Sequence, residues 1–192
     1  MNENNMNIFD TRVSDQIGTI CKITWATEFC EILVIGEEGM AVLTASDEIV
    51  ATSALPSDIT IVDQQRTPQG WRVLAYGDSV IRILSIPSGG SHDVILSGTV
   101  TEPHTACWNP CGNLLAVGSI GTELSVWNTN SGLMHWKRSI AWYIDEFLTP
   151  PTLSIKGWTP DGARIVTTAE YLAAITCNVW DADSGELLTS ID

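Results

Sequence analysis

Two stretches of this chain carry the same landmarks in the same order, and that repetition constrains the fold more than any other feature. One reads ACWNPCGNLLAVGSIGTELSVWNTNSGLMHW, from Ala106 to Trp136; the other reads KGWTPDGARIVTTAEYLAAITCNVWDADSGELLTSID, from Lys156 to Asp192. Each gives a run ending in Trp, then x-P-x-G, a second run, a small-residue break, a third run ending V-W-[ND], then x-x-S-G and a fourth run. Trp108 matches Trp158, Pro110 matches Pro160, Gly112 matches Gly162, Trp127 matches Trp180, Asn128 matches Asp181 and Gly132 matches Gly185. The offset of about 50 residues lies near the roughly 40–45 of a four-stranded repeat unit once an insertion is allowed.

The runs are short, rich in Val, Ile, Leu, Thr and Trp, and bounded by Gly, Asp, Ser or Pro, while few segments place apolar residues at helical spacing. Ile20–Trp25, Ile32–Ile35, Met40–Thr44, Ile59–Val62, Arg72–Tyr76, Ile81–Ile86, Leu114–Gly118, Leu124–Trp127, Ile155–Trp158, Arg164–Thr168 and Ile175–Trp180 are representative. An all-β chain of evenly spaced strands suggests a sandwich, a barrel or a propeller. The paired landmarks decide among these, because they resemble the WD-repeat family, whose unit carries a W-S-P-D-G-like turn and a closing W-D dipeptide. The resemblance covers the last 90 or so residues and implies a β-propeller of about four blades, each of four antiparallel strands. Pro and Gly shape the tight turn, and the closing Trp packs between neighbouring sheets.

The first half departs from the pattern. Ile20–Trp25, Ile32–Glu37, Met40–Thr44 and Glu48–Leu55 can form one blade, and Ile59–Val62, Arg72–Gly77, Ile81–Ile86 and Asp93–Ser97 another. Ile86-Pro87 stands where W-D would, and Thr67-Pro68-Gln69-Gly70 replaces the usual turn. The family's glycine-histidine dipeptide is missing, and Ile120-Gly121 occupies the place of its Asp. The buried Asp–His–Ser/Thr–Trp hydrogen-bond network is therefore expected to be absent. The blades are expected at about 19–56, 57–98, 99–150 and 151–192, after an N-terminal segment, 1–18, in which Asn7–Val13 is read as an extra outer strand. Propellers of this family generally close with about seven blades, so a strip of four is expected to be incomplete alone, with apolar faces and strand edges left open. A second copy, another protein chain, or closure into a four-bladed ring would each complete it. A fragment of a larger propeller is a further reading.

Met134–Pro151 is longer than the connections around it and dense in aromatic residues. Ser139 is placed to cap a short helix over Ile140–Phe147. Trp136, Trp142, Tyr143 and Phe147, beside Lys137 and Arg138, have the composition of a partner-binding anchor, and equally that of rings covering the chain's own core. His92, His104 and His135 are scattered, with no metal-ligand spacing. His104 and Cys107 stand three apart, so on a strand they face opposite ways and make no dyad unless the backbone turns at Pro103. Gly36–Gly39, G-E-E-G, is acidic where a phosphate cradle needs positive charge, and reads as a turn. The five cysteines lack a C-x-x-C pair and read as free core thiols. Glu28, Glu31, Glu37, Glu38, Asp145 and Glu146 read as a solvated acidic surface that could steer a basic partner.

Nine Lys and Arg against 23 Asp and Glu leave a net charge of −14 on 192 residues. That balance repels phosphate backbones and anionic headgroups, so neither direct nucleic-acid binding nor membrane insertion is expected. No apolar run reaches the roughly 18–20 residues of a membrane span, and the polar, acidic opening MNENNMNIFD lacks a secretory pattern, which points to the cytoplasm or nucleus. The resemblance implies a non-enzymatic scaffold that docks other protein subunits in a multisubunit assembly, with a homodimer as one form. No catalytic residue, metal ligand or cofactor is assigned. The competing class is a hydrolase- or lactonase-like enzyme with its site at a propeller's central channel, which would need convergent His, Asp or Glu on the innermost strands. Thr, Ile, Trp and Cys predominate there.

Overall fold

The computed structural model describes residues 12–77, 80–86, 94–95, 103–119, 123–139, 152–171 and 174–191. Among them, sixteen strands form four antiparallel sheets of four, each in simple chain order. The first sheet holds β1 (Ile20–Ala26), β2 (Glu31–Gly36), β3 (Gly39–Thr44) and β4 (Ile49–Ala54). The second holds β5 (Thr60–Thr67), β6 (Gly70–Gly77), β7 (Val80–Ile86) and β8 (Val94–Ile95). The third holds β9 (Pro103–Trp108), β10 (Leu114–Ser119), β11 (Glu123–Asn128) and β12 (Met134–Ser139). The fourth holds β13 (Thr152–Trp158), β14 (Arg164–Tyr171), β15 (Ala174–Asp181) and β16 (Leu187–Ile191). The chain is thus all-β, as its periodicity indicates.

Register reveals a repeat that the sequence of the first half conceals. In the third sheet one row of partners runs Trp108–Leu115–Trp127–Met134, and in the fourth it runs Trp158–Ile165–Trp180–Leu187. The first sheet has the same row as Trp25–Ile32–Leu43–Ile49. In all three, the pairing of third and fourth strands shifts just before this row, between Val42 and Leu43, Val126 and Trp127, and Val179 and Trp180. A bulge at one fixed place twists the outer strand alike each time. Leu43 therefore occupies the position that Trp127 and Trp180 fill elsewhere.

The contacts divide the chain into two compact units, the first of Met1–Ile59, Arg66–Arg72 and Leu84–His92, the second of Thr60–Gln65, Val73–Ile83 and Asp93–Asp192. In the first unit, residues 12–17 form a short helix rather than the end of an outer strand. Val13 and Ile17, four apart on that helix, are both 1% exposed and pack on Ile32, Val34, Ala41 and Leu43. One helical turn suffices to bury two β-branched side chains, and so short a segment gives no periodic signal in sequence. Residues 7–11 of the expected strand lie outside the described residues. The helix sits close because the β2–β3 hairpin is glycine there: a Cβ on Gly36 would lie 2.3 Å from the Ile17 carbonyl oxygen. The G-E-E-G segment is that hairpin turn, and its Glu37 and Glu38 amides donate to the carbonyls of Thr19 and Ile17.

Glu31 is not part of a solvated acidic surface. Its carboxylate accepts Arg66 Nε at 2.7 Å, Arg66 Nη2 at 2.9 Å and Trp71 Nε1 at 3.1 Å, while the guanidinium lies 4.3 Å over the Phe29 ring. The bidentate pair satisfies a half-buried charge that would otherwise be costly to desolvate. The cysteines are free, yet none is a core residue: Cys21, Cys30 and Cys111 are exposed and Cys107 and Cys177 half-buried. Cys30 closes a 3-10 turn at Thr27–Phe29 with φ of 52°, and Cys111 lies in a turn, where burial is unavailable.

In the second unit the third sheet is buried on both faces. Alternate residues Trp108, Leu115, Val117 and Trp127 pack with Leu74, Ile81 and Ile83. The intervening residues Ala116, Leu124, Val126 and Trp136 pack with Leu153, Ile165, Trp180 and Ala182 of the fourth sheet. Period-two alternation with both sets apolar is what a sheet stacked between two others requires.

The Arg66 hydrogen bond holds the Glu31 carboxyl below its ordinary value of 4.5, so the pair stabilises the fold above that value. The contribution is lost as pH falls through the lowered folded-state value. Urea titrations at several pH values should show Glu31→Gln flattening the acid limb of the stability profile; an unchanged limb would mean the pair adds nothing.

Candidate interaction surface

The landmark residues build turns and stacking contacts. Asn109–Gly112 and Thr159–Gly162 are equivalent turns, closed by the Gly112 amide on the Asn109 carbonyl at 2.9 Å and the Gly162 amide on the Thr159 carbonyl at 2.8 Å. Gly112 and Gly162 both have φ of 71°, the left-handed region that glycine enters without cost. Pro110 and Pro160 stand at the second position of these turns, where a fixed φ helps. The second motif makes the β11–β12 and β15–β16 turns. Asn128 Oδ1 accepts the amides of Asn130 and Ser131 at 3.0 Å, and Asp181 Oδ1 accepts the amides of Asp183 at 3.2 Å and Ser184 at 2.8 Å. Those donors, the Ser184 amide first, hold the Asp181 carboxyl below the usual range.

The buried tryptophans are anchored by their indole N–H groups. Trp127 donates to Ser125 Oγ and Trp180 to Thr167 Oγ1, each at 2.9 Å. A nearby hydroxyl thus satisfies the buried indole in each sheet, from the same strand at Ser125 and from the neighbouring strand at Thr167. Trp158 donates at 2.9 Å to the Cys107 carbonyl of the neighbouring sheet. Trp108, only 5% exposed, has an indole nitrogen that finds no partner among the described residues.

Trp136 belongs to the chain's own core. It is 7% exposed, donates to the Ala182 carbonyl at 2.9 Å, and lies flat against Gly185. Arg138 grips the same turn, donating from Nη2 to the Ser184 carbonyl at 2.8 Å and from Nε to the Gly185 carbonyl at 3.2 Å. His135 Nε2 lies 3.2 Å from Asp183 Oδ1. These side chains of β12 thus clasp the β15–β16 turn. Lys137 pairs with Glu123 at 2.7 Å. Trp142, Tyr143 and Phe147, with the expected helix at 140–147, lie outside the described residues; Ser139 ends β12.

His104 and Cys107 share β9 at opposite parity. Desolvation lowers the His104 imidazole and raises the Cys107 thiol, with Asp63 adding to the latter. A protonated thiol facing away from a neutral imidazole is a poor nucleophile.

Sequence patterns missed where apolar surface stays open. Ile23 and Trp25 of β1 are 57% and 51% exposed, and Ile175 and Ile191 of the fourth sheet are 59% each. Leu187 and Leu188 of β16 are also exposed. Isolated apolar side chains on a surface are ordinary, but these cluster on sheet faces and an edge strand. Glu28, Glu37 and Glu38 are exposed, as expected of an acidic surface.

Compared with known proteins, the chain matches no family model and no curated sequence. Among the described residues, no helix is long and apolar enough to cross a membrane.

Gly185 has φ of 69°, and a Cβ there would come 2.7 Å from the Trp136 ring, whereas at Gly162, with the same conformation, nothing lies nearer than 3.8 Å. Gly162→Ala should cost about 1 kcal/mol, for the backbone alone. Gly185→Ala should cost about 2–4 kcal/mol, because the ring must also shift. Equal midpoints for the two variants in urea unfolding would mean the Trp136 seat is not tight.

Proposed function

We propose that this chain is a WD-repeat-type propeller segment acting as a non-enzymatic scaffold that docks protein partners within a multisubunit assembly. The observation that carries the reading is the third sheet, covered on both faces by neighbouring sheets through alternating apolar rows. Such stacking is what propeller blades require, and a stack of this kind leaves open faces at its ends. In the second unit the exposed Ile175 and Ile191 fit such an open end. Five free cysteines, three of them exposed, suit a reducing compartment. The net charge of −14 favours a basic partner and salt-sensitive association.

Purification of the chain under native conditions from the cells that make it should yield a complex with at least one other protein at fixed ratio. Raising salt from about 50 to 500 mM should loosen it, since the Debye length shortens severalfold. Recovery of the chain with no other protein at either salt concentration would contradict the reading.

A further inference from the structure

We propose that residues 12–17 are an end cap: this helix takes the place of a neighbouring sheet on the first sheet and keeps the chain from associating through that face. The cap is a property of the first unit alone and holds whether or not the second unit docks a partner.

In the third sheet the rows Trp108–Leu115–Trp127 and Ala106–Val117–Ser125 share one face, and that face packs against Leu74, Ile81 and Ile83 of the second sheet. The first sheet carries the same rows as Trp25–Ile32–Leu43 and Ile23–Val34–Ala41. There the side chains packed against Ile32, Val34, Ala41 and Leu43 are Val13 and Ile17 of the helix. Two side chains reach the middle strands and stop short of β1. Ile23 and Trp25 are therefore left 57% and 51% exposed, where Trp108, sheltered by a whole sheet, is 5% exposed.

The first sheet is shaped for a helix at this face. Gly36 and Gly39 stand at the register positions that Ser119 and Glu123 hold in the third sheet and Ala169 and Thr176 in the fourth. A Cβ on Gly36 would lie 2.3 Å from the Ile17 carbonyl oxygen, and one on Gly39 3.2 Å from Ile17 Cγ2. The Glu38 amide donates to the Ile17 carbonyl at 2.9 Å, so the hairpin satisfies a group at the helix end that has no partner within the helix. Arg12, Asp15 and Gln16 are exposed, which puts a polar surface where the sheet beneath is apolar. A polar outer face over an apolar inner one is what terminates a stacked array and keeps it in solution. A helix of six residues has almost no stability of its own, so packing alone holds it, and it can be unseated without the sheet.

Gly36→Ala, whose added Cβ meets the Ile17 carbonyl, should unseat the helix while leaving every apolar residue of the face in place. Val13→Asp with Ile17→Asp should do so from the helix side. Amide exchange of the full chain, followed by NMR, should leave β2 and β3 protected in both variants. The Gly18 and Glu38 amides, which the seated helix engages, should exchange about tenfold or more faster than in the wild type. The uncharged dye Nile red should gain fluorescence on the bared face. Light scattering at about 1 M salt, where charges are screened beyond about 3 Å, should give a weight-average mass about twofold or more above that of the wild-type chain at the same concentration. Should one variant fail to fold, the other carries the test. Loss of protection throughout β2 and β3 in both variants makes the helix part of the sheet's core and overturns the proposal. A protected sheet whose mass matches the wild type overturns it too, whatever the dye does.

Discussion

The second unit depends on rows of apolar residues laid across a sheet and pressed against the sheets beside it. In the second unit, Trp108, Leu115 and Trp127 fill one side of the third sheet while Ala116, Val126 and Trp136 fill the other. Large rings alternate with small residues, which lets two sheets approach closely. Trp127, Trp136 and Trp180 each bury a large apolar area, and their indole N–H groups, with that of Trp158, are satisfied locally by hydroxyls or carbonyls. A single sheet of this kind, with both faces apolar, has no stable existence in water.

From that constraint the turns acquire their role. Each motif glycine permits a sharp return that keeps consecutive strands adjacent, and each Asn or Asp at the end of the third strand ties down the amides of the turn that follows. The β15–β16 turn then serves twice, since Trp136 and Arg138 of the preceding sheet seat upon it. Local turn chemistry and stacking between sheets are coupled through Gly185, which must be glycine for both reasons.

Much of this was legible in sequence because turn chemistry leaves residue-specific marks. Pro110, Gly112, Pro160 and Gly162 announce one turn, and Asn128, Gly132, Asp181 and Gly185 the other. The first sheet was harder, since Leu43 replaces a tryptophan and a 3-10 turn ending at Cys30 replaces the proline turn, changes that preserve register while erasing the motif. A helix of one and a half turns at 12–17 was invisible for want of length. Trp136 has the composition of a partner anchor, and only the geometry assigns it to the core. The open faces leave no sequence mark, because an exposed Ile and a buried one read the same.

Hydrogen exchange of individual backbone amides, followed by NMR, tests the stacking directly. Strands buried on both faces should open only with global unfolding, whereas a sheet edge frays locally. The account predicts that amides at Leu115, Val117, Leu124 and Val126 of β10 and β11 exchange slowest, and those of β16 fastest among the strands of the second unit. Equal protection of β11 and β16 would contradict it.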